Sequence, residues 1–214
     1  MVPLGKRGRR PQWPPGVEEP PWNPQTGEPA GTIEPGKVGR APQTVKDLAS
    51  SFASVGRNSR KRGGMDRPVF HLFTDGACTG NPGPGGWAFI LRSVAGAELL
   101  VEEAGAESQT TNNRMELLAA IRGLEAVPEP AEVHLFSDSQ YLTKGLGEWL
   151  DGWKRKGWRT TSGPVRNADL WRELDALRGV HRIRTEWVRG HDGHPENERC
   201  DQLAVAAIEA VRGR

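Results

Sequence analysis

Four carboxylates in this 214-residue chain lie where they could reach a common site. Asp75 and Asp138 each follow a short apolar run. Glu116 and Asp201 each lie beside the apolar stripe of a predicted helix. Sites in open α/β sheets form at the carboxyl ends of parallel strands. If the strands before Asp75 and Asp138 are neighbours, we expect these two side chains to meet there, with Glu116 leaning over the same edge.

Carboxylates crowded at one edge of a sheet repel each other and favour a hard cation, which takes oxygen ligands. Paired Mg²⁺ ions about 4 Å apart can promote phosphodiester cleavage, because one activates water and the other stabilises the leaving oxygen. Mn²⁺ is an alternative cation with the same ligand preference. The pattern therefore predicts metal-dependent phosphodiester chemistry.

Each acid taken alone has a simpler interpretation. Asp75 and the glycine after it form a common turn dipeptide. Asp138 could cap the helix that follows, and Asn113 and Glu116 have the spacing of a capping box. Asp201 could be an exposed residue of an amphipathic helix. The metal-site prediction depends on the joint placement of the four acids.

The apolar pattern predicts the elements that would carry these acids. Apolar runs predict strands over residues 69–74, 87–94, 98–102, 133–136 and 183–188. Helical spacing predicts helices from residue 113, around 140–150, over 168–177 and along the stripe 200–211. The glycines and prolines of 81–86 predict a turn. Early strands followed by alternating helices and strands indicate an α/β fold, a five-stranded mixed sheet flanked by helices.

Residues 1–65 differ in character from the rest. They are rich in Pro, Gly and Arg and show no sustained periodicity, which predicts a disordered tail before a globular domain over 66–214. A short helix over 45–55 is an alternative for part of the tail. The tail holds 11 basic and 5 acidic residues, net +6, whereas the remainder holds 18 and 22, net −4. The cations of 57–62 could contact phosphates or form a solvated linker.

Composition limits where the protein can act. The chain has no run of 18 apolar residues, so we expect no membrane-spanning segment. Two cysteines, Cys78 and Cys200, are too few for a disulfide scaffold and favour a reducing cytoplasm. No additional amphipathic surface requires a protein partner, and a monomer is expected.

Four segments together resemble one known family. They are Thr-Asp-Gly-Ala-Cys-Thr-Gly-Asn-Pro-Gly-Pro-Gly-Gly at 74–86, Thr-Asn-Asn-Arg-Met-Glu-Leu at 111–117, Ser-Asp-Ser-Gln-Tyr at 137–141, and Gly-His-Asp-Gly-His-Pro-Glu-Asn-Glu-Arg-Cys-Asp at 190–201. In this order and spacing they resemble bacterial type 1 ribonuclease H, across nearly all of residues 67–212. The resemblance implies a ribonuclease H-like fold and Mg²⁺-dependent cleavage of the RNA strand of RNA/DNA hybrids.

The resemblance also implies roles for the residues of these segments. Asp75, Glu116, Asp138 and Asp201 would be the metal-binding catalytic acids. His191, in a glycine-rich loop, would move protons and aid product departure. The alternative for this loop is a zinc site using His191, His194 and Cys200, for which no fourth ligand has suitable spacing. Glu198 could tune the loop or the metal environment.

Polar side chains beside the acids could distinguish RNA from DNA through the 2′-hydroxyl in the minor groove. Asn81, Asn112, Asn113 and Gln140 flank the proposed acids, although asparagine is also common in turns and caps. By resemblance, Asn81, Asn112 and Gln140 would face the minor groove.

Residues 149–159, here called the basic protrusion, combine three tryptophans with four cations. Such a mixture suits contact with a nucleic-acid backbone, although the tryptophans could belong to the core and the cations to a solvated face. The resemblance implies that this segment grips the DNA strand. The predicted contacts are Trp149, Lys154, Arg155 and Lys156.

Three other functions fit parts of the pattern. A junction resolvase or integrase also uses clustered acids, but the segments at 112–116 and 190–197 fit ribonuclease H better. An inactive hybrid-binding module would not need the four acids and His191. A structural protein with a basic tail would leave four motifs unexplained.

Overall fold

The computed structural model describes residues 67–95, 98–190 and 192–212. The predicted tail, its possible helix over 45–55, the cations of 57–62 and His191 all lie outside these ranges, and those predictions stay untested. Within the described ranges, no helix combines the length and the apolar character needed to cross a membrane.

The predicted five-stranded mixed sheet is confirmed. Its strands are β1 (Val69–Cys78), β2 (Gly83–Ser93), β3 (Glu98–Thr110), β4 (Glu132–Ser137) and β7 (Arg182–Trp187), in the spatial order β3-β2-β1-β4-β7. β2 is antiparallel to both β1 and β3, whereas β4 is parallel to both β1 and β7. The strands that lead to Asp75 and Asp138 are therefore neighbours, which meets the condition for these two side chains to lie close together.

Helices cover both faces of the sheet. They are α1 (Asn112–Glu125), α2 (Gln140–Lys144), α3 (Leu150–Arg155), α4 (Ala168–Val180) and α5 (Pro195–Arg212), and a π-helical segment, Gly145–Trp149, joins α2 to α3. Leu72 of β1 packs in the core shared with α1 and α4. Its neighbour Phe73 packs with Cys200 and Ala204 of α5. Because successive strand residues point to opposite faces, α5 covers the face opposite α1.

Several predicted boundaries are wrong at the glycine-rich end of the sheet. β1 continues to Cys78 and β2 begins at Gly83, so only the first part of 81–86 is a turn. β3 reaches Thr110 rather than residue 102. These extensions are held by antiparallel pairing, such as Cys78 with Gly85. Backbone pairing requires no apolar alternation, which explains why the side-chain pattern did not reveal them.

A small hairpin was not predicted. It consists of β5 (Arg159–Thr160) and β6 (Gly163–Pro164), and it begins at the last residue of the basic protrusion. Its strands are two residues each, too short to produce a period-2 pattern.

Candidate active site

The register of β1 and β4 places two acids side by side. Their parallel pairing ends at Phe73 opposite Phe136. Asp75 and Asp138 each lie two residues beyond this last pair. Asp75 does not end its strand, as the sequence suggested, because β1 continues by pairing with β2. The position of the two acids is set by the end of the parallel pairing between β1 and β4, beyond which the two strands separate.

Glu116 reaches the same point because α1 lies directly against β1. A β-carbon at Gly76 would overlap the backbone nitrogen of Glu116, so this contact requires glycine. One carboxylate oxygen each from Asp75, Glu116 and Asp138 lie within 4.8 Å of one another. We call these three residues the acid cluster.

Burial and mutual repulsion disfavour negative charge in the acid cluster. Burial, followed by the charges of Asp138 and Asp201, raises the pKa of Asp75 to about 8, although the Gly76 N–H donates to Asp75 Oδ1 at 2.7 Å. Burial, Asp75 and Asp138 raise the pKa of Glu116 well above its usual range. Asn112 Nδ2 opposes this shift by donating to Glu116 Oε1 at 3.3 Å. A nearby cation would favour the ionised carboxylates.

The acid cluster fits a divalent metal ion. Glu116 Oε2 is buried and has no hydrogen-bond partner, which is costly for a carboxylate oxygen. Oxygen-only donors suit hard cations such as Mg²⁺, Mn²⁺ and Ca²⁺. A cation would both supply the missing partner and offset the repulsion among the three charges.

Asp201 lies near the acid cluster but outside it. It is half-buried on α5, and its charge contributes to the raised pKa of Asp75, so the two carboxylates are within electrostatic reach. Among the described residues, the group of close metal-ligating atoms contains neither Asp201 nor the zinc candidates His194 and Cys200.

The helix caps near the site differ from the simpler interpretations. Ser139, not Asp138, caps α2, since its side chain accepts a hydrogen bond from the Leu142 N–H. α1 begins after Thr111, so Asn113 is a helix residue and the capping-box interpretation is wrong. Neither Asp138 nor Glu116 therefore acts as a helix cap.

The residues around His191 are partly described. The ring of His194 lies over Phe73, with the ring centres 5.4 Å apart, and burial lowers its pKa to about 4. Cys200 Sγ donates to the Phe73 carbonyl oxygen at 3.5 Å. Glu198 Oε1 accepts from the Gly193 N–H at 3.2 Å, a contact through which it can influence the loop.

The predicted minor-groove residues lie near the same edge of the sheet. Asn81 is exposed in the turn between β1 and β2, and Asn113 is exposed on α1. Gln140 is exposed at the start of α2 and accepts from Lys144 Nζ at 3.1 Å. Asn112 is half-buried, and its amide already binds Glu116, a contact that the sequence did not suggest.

The basic protrusion has tryptophans on the inside and cations on the outside, as one interpretation of the sequence proposed. Trp149 and Trp153 are half-buried, with ring centres 5.7 Å apart, and Trp153 packs edge-on against the core residue Trp171. Lys154, Arg155 and Lys156 are exposed. Lys154 Nζ also forms an ion pair with Asp175 of α4 at 2.7 Å.

Two residues that the sequence analysis missed contact Asp138. Trp187 Nε1 donates to the Asp138 carbonyl oxygen at 2.8 Å. A β-carbon at Gly190 would overlap Asp138 Oδ2 and lie 3.4 Å from its Cγ. The available signal was the position of both residues at or just after the end of β7, at the same edge of the sheet as the acids.

A comparison with known protein families identifies the family of the chain. The RNase H family model matches residues 67–209. The chain therefore belongs to the RNase H family. It is an endonuclease that hydrolyses the RNA strand of RNA/DNA hybrids, as the sequence resemblance implied.

Individual relatives agree with this assignment. The chain is 56% identical over 144 residues to the ribonuclease H of Geotalea uraniireducens, an alignment that covers 67% of this chain and 96% of that one. It is 53% identical over 139 residues to the ribonuclease H of Paracoccus denitrificans, covering 64% and 90% respectively.

Solved structures show the same fold. LC9-RNase H1, described as a type 1 RNase H with the type 2 active-site motif, superposes with a TM-score of 0.61 at 32% identity, covering 69% of this chain and 75% of that one. The N-terminal RNase H domain of a Mycobacterium tuberculosis protein, solved as a fusion with maltose-binding protein, gives a TM-score of 0.55 at 25% identity, covering 68% and 97%.

Proposed function

We propose that the acid cluster, together with Asp201, binds Mg²⁺ and that the enzyme cuts the RNA strand to leave 5′-phosphate and 3′-hydroxyl ends. The observation that carries this proposal is the convergence of three carboxylates within 4.8 Å around a buried oxygen without a partner. When bound, the divalent ions activate water and stabilise the leaving oxygen. Mn²⁺ would support the same chemistry with the same ligands.

The protein side chains would hold and orient the reacting groups. Asp75 and Asp138 present their carboxylates where two adjacent strands part, and Glu116 does so from α1. Asn112 keeps one Glu116 oxygen hydrogen-bonded and so leaves the other available. His191, four residues before the start of α5 in the sequence, would transfer protons and help product leave.

Substrate binding would use two groups of residues outside the acid cluster. Asn81, Asn112, Asn113 and Gln140 would contact the minor groove of the hybrid, where the 2′-hydroxyl identifies RNA. The basic protrusion, through Trp149, Lys154, Arg155 and Lys156, would contact the phosphates of the DNA strand.

We also propose that the enzyme acts as a cytoplasmic monomer and that its catalytic domain spans residues 66–214. The two cysteines support a reducing compartment, because Cys78 and Cys200 are both free thiols. The family match over 67–209 supports the domain boundary.

The deciding experiment is cleavage of an end-labelled RNA/DNA hybrid by the full-length chain, with Mg²⁺, with Mn²⁺ and with excess chelator. Single-stranded RNA and duplex DNA are the controls. We expect metal-dependent cleavage of the hybrid alone, with products bearing 5′-phosphates. Full activity in excess chelator would contradict the proposed metal dependence. Faster cleavage of duplex DNA than of the hybrid would contradict the RNA/DNA hybrid as the substrate.

A further inference from the structure

The main chain at Asp138 turns from β4 into α2, and local hydrogen bonds hold its two neighbours. The Ser139 N–H donates to Ser137 Oγ at 3.1 Å. The Leu142 N–H donates to Ser139 Oγ at 3.3 Å, and Thr143 Oγ1 donates to the Ser139 carbonyl oxygen at 2.9 Å. These bonds fix residues 137 and 139, and the Asp138 carbonyl oxygen accepts none of them.

A partner for that oxygen comes from β7, 49 residues further along the chain. The Val188 N–H donates to the Ser137 carbonyl oxygen at 3.0 Å, which continues the pairing of β4 with β7. The Trp187 indole N–H then donates to the next carbonyl oxygen, that of Asp138, at 2.8 Å. Trp187 is 49% exposed, so water could satisfy its indole, yet the indole is directed at the backbone of an acid-cluster residue.

The carboxylate of Asp138 has its own contact from the same region. The α-carbon of Gly190 lies so close that a β-carbon there would overlap Asp138 Oδ2. Gly190 is three residues after Trp187, so one short segment binds the Asp138 carbonyl oxygen and, at Gly190, leaves space for the Asp138 carboxylate.

We propose that Trp187 and Gly190 are positioning residues that fix the Asp138 carboxylate in the geometry required for metal binding. The inference rests on the proposed metal role of Asp138. Groups that orient a metal ligand typically change metal affinity or activity by about 10–100-fold when they are removed. Trp187 acts on the main chain and Gly190 on the side chain, so each can be tested separately.

The first test replaces the indole donor while keeping an aromatic ring. Mn²⁺ binding to the full-length chain without nucleic acid is measured by calorimetry for the wild type and for Trp187→Phe. We expect the Kd for Mn²⁺ to rise about 10-fold, with little change in Tm, because the Trp187 side chain is half-exposed. The matched control is Trp171→Phe, which also removes an indole hydrogen bond, 2.9 Å long, to Tyr141 Oη. It should lower Tm, because Trp171 is fully buried, and leave the Kd unchanged.

The second test uses the glycine. Gly190→Ala should raise the Kd for Mn²⁺, because the new methyl group displaces the Asp138 carboxylate. Gly179→Ala is its control, since a β-carbon there has nothing within 4 Å. The positioning role is wrong if Trp187→Phe and Gly190→Ala both bind Mn²⁺ as the wild type does. It is also wrong if Trp171→Phe and Gly179→Ala raise the Kd for Mn²⁺ as much as the positioning variants do.

A third variant separates this inference from the proposed function. Asp138→Asn should weaken Mn²⁺ binding by more than either positioning variant. If Asp138→Asn weakens binding and both positioning variants do not, the inference fails while the proposed metal site stands. If Asp138→Asn binds Mn²⁺ normally, the proposed metal site itself fails.

Discussion

At the scale of single residues, the protonation of Asp75 follows from its surroundings. Burial, and next the nearby charge of Asp138, raises its pKa to about 8, against 3.8 for an ordinary aspartate. The folded state therefore keeps a proton that the unfolded chain releases. The contribution of this group to the free energy of unfolding is therefore fully present below about pH 4 and is lost as the pH rises towards 8. The pKa of Glu116 is shifted in the same direction.

We predict a pH-dependent effect of metal on stability. Mg²⁺ should raise Tm more at pH 8 than at pH 5, because binding requires ionised carboxylates and removes their repulsion. Thermal melts with and without Mg²⁺ at both values measure this. In metal-free buffer at pH 8, Asp75→Asn should be at least as stable as the wild type, and its Mg²⁺-induced shift should be smaller. If Mg²⁺ raises Tm by the same amount at both pH values in both proteins, Asp75 does not bind the metal.

Asp75→Asn should also separate folding from catalysis. We expect hybrid cleavage to fall by more than about 100-fold, the upper end for loss of a group that merely orients a metal ligand. Circular dichroism should be unchanged, because the amide has nearly the same shape. Glu129→Gln, an exposed residue before β4, is the charge-matched control and should cleave normally. Near-normal cleavage by Asp75→Asn in Mg²⁺ would rule out its role.

At the scale of elements, the basic protrusion joins a structural anchor to a charged surface. Trp153 packs against Trp171 of α4, and Lys154 pairs with Asp175 of the same helix. The protrusion is thus held against α4 while Arg155 and Lys156 remain exposed. This arrangement allows its cations to be presented to phosphates from a fixed position.

Neutralising Lys154, Arg155 and Lys156 to Gln should weaken hybrid binding and flatten its salt dependence. Each phosphate that the variant no longer neutralises lowers the slope of log K against log salt by about 0.9, so we expect a decrease of about 2 to 3. Fluorescence anisotropy with a labelled hybrid at several salt concentrations measures the slope. Neutralising Arg122, Arg182 and Arg212, which are exposed on other elements, is the control. Equal slopes for the protrusion variant and the wild type would show that the protrusion does not meet phosphate.

At the scale of the whole molecule, charge is divided between two parts of the chain. Residues 66–214 carry a net charge of −4 and must bind a polyanion through local cations and bound metal ions. The five strands, the helices on both faces and the acid cluster all lie within residues 67–212. The family match covers 67–209, which supports the proposed position of the catalytic domain in the second part of the chain.

Deleting residues 1–65 should therefore preserve cleavage of the hybrid. We expect kcat to be unchanged, because every acid of the site is retained. If the cations of 57–62 bind phosphates, KM should rise, and the salt slope should decrease by about 0.9 for each phosphate they neutralise. Steady-state kinetics of the truncated and full-length proteins at several salt concentrations measure kcat, KM and the salt dependence of KM. Failure of the truncated protein to fold or cut would show that the domain boundary is wrong.

The sequence by itself determined the family, the fold class and the identities of the candidate acids. Apolar runs located the five strands, although not all of their ends, and four long segments around Asp75, Glu116, Asp138 and Asp201 indicated the chemistry. These features are readable because they are local, since apolar periodicity and motif spacing depend on residues close together in the chain.

Only the tertiary structure decided how these parts meet. The register that sets Asp75 beside Asp138, the close approach at Gly76 that admits Glu116, and the bond from Trp187 to Asp138 each join distant parts of the chain. A glycine in the sequence shows that another group can come close to the backbone, but it does not show which group does. A tryptophan in the sequence offers an indole N–H, but it does not show which oxygen accepts the hydrogen bond. The raised pKa of Asp75 likewise depends on burial and on neighbouring charges, which exist only after the strands and helices have packed.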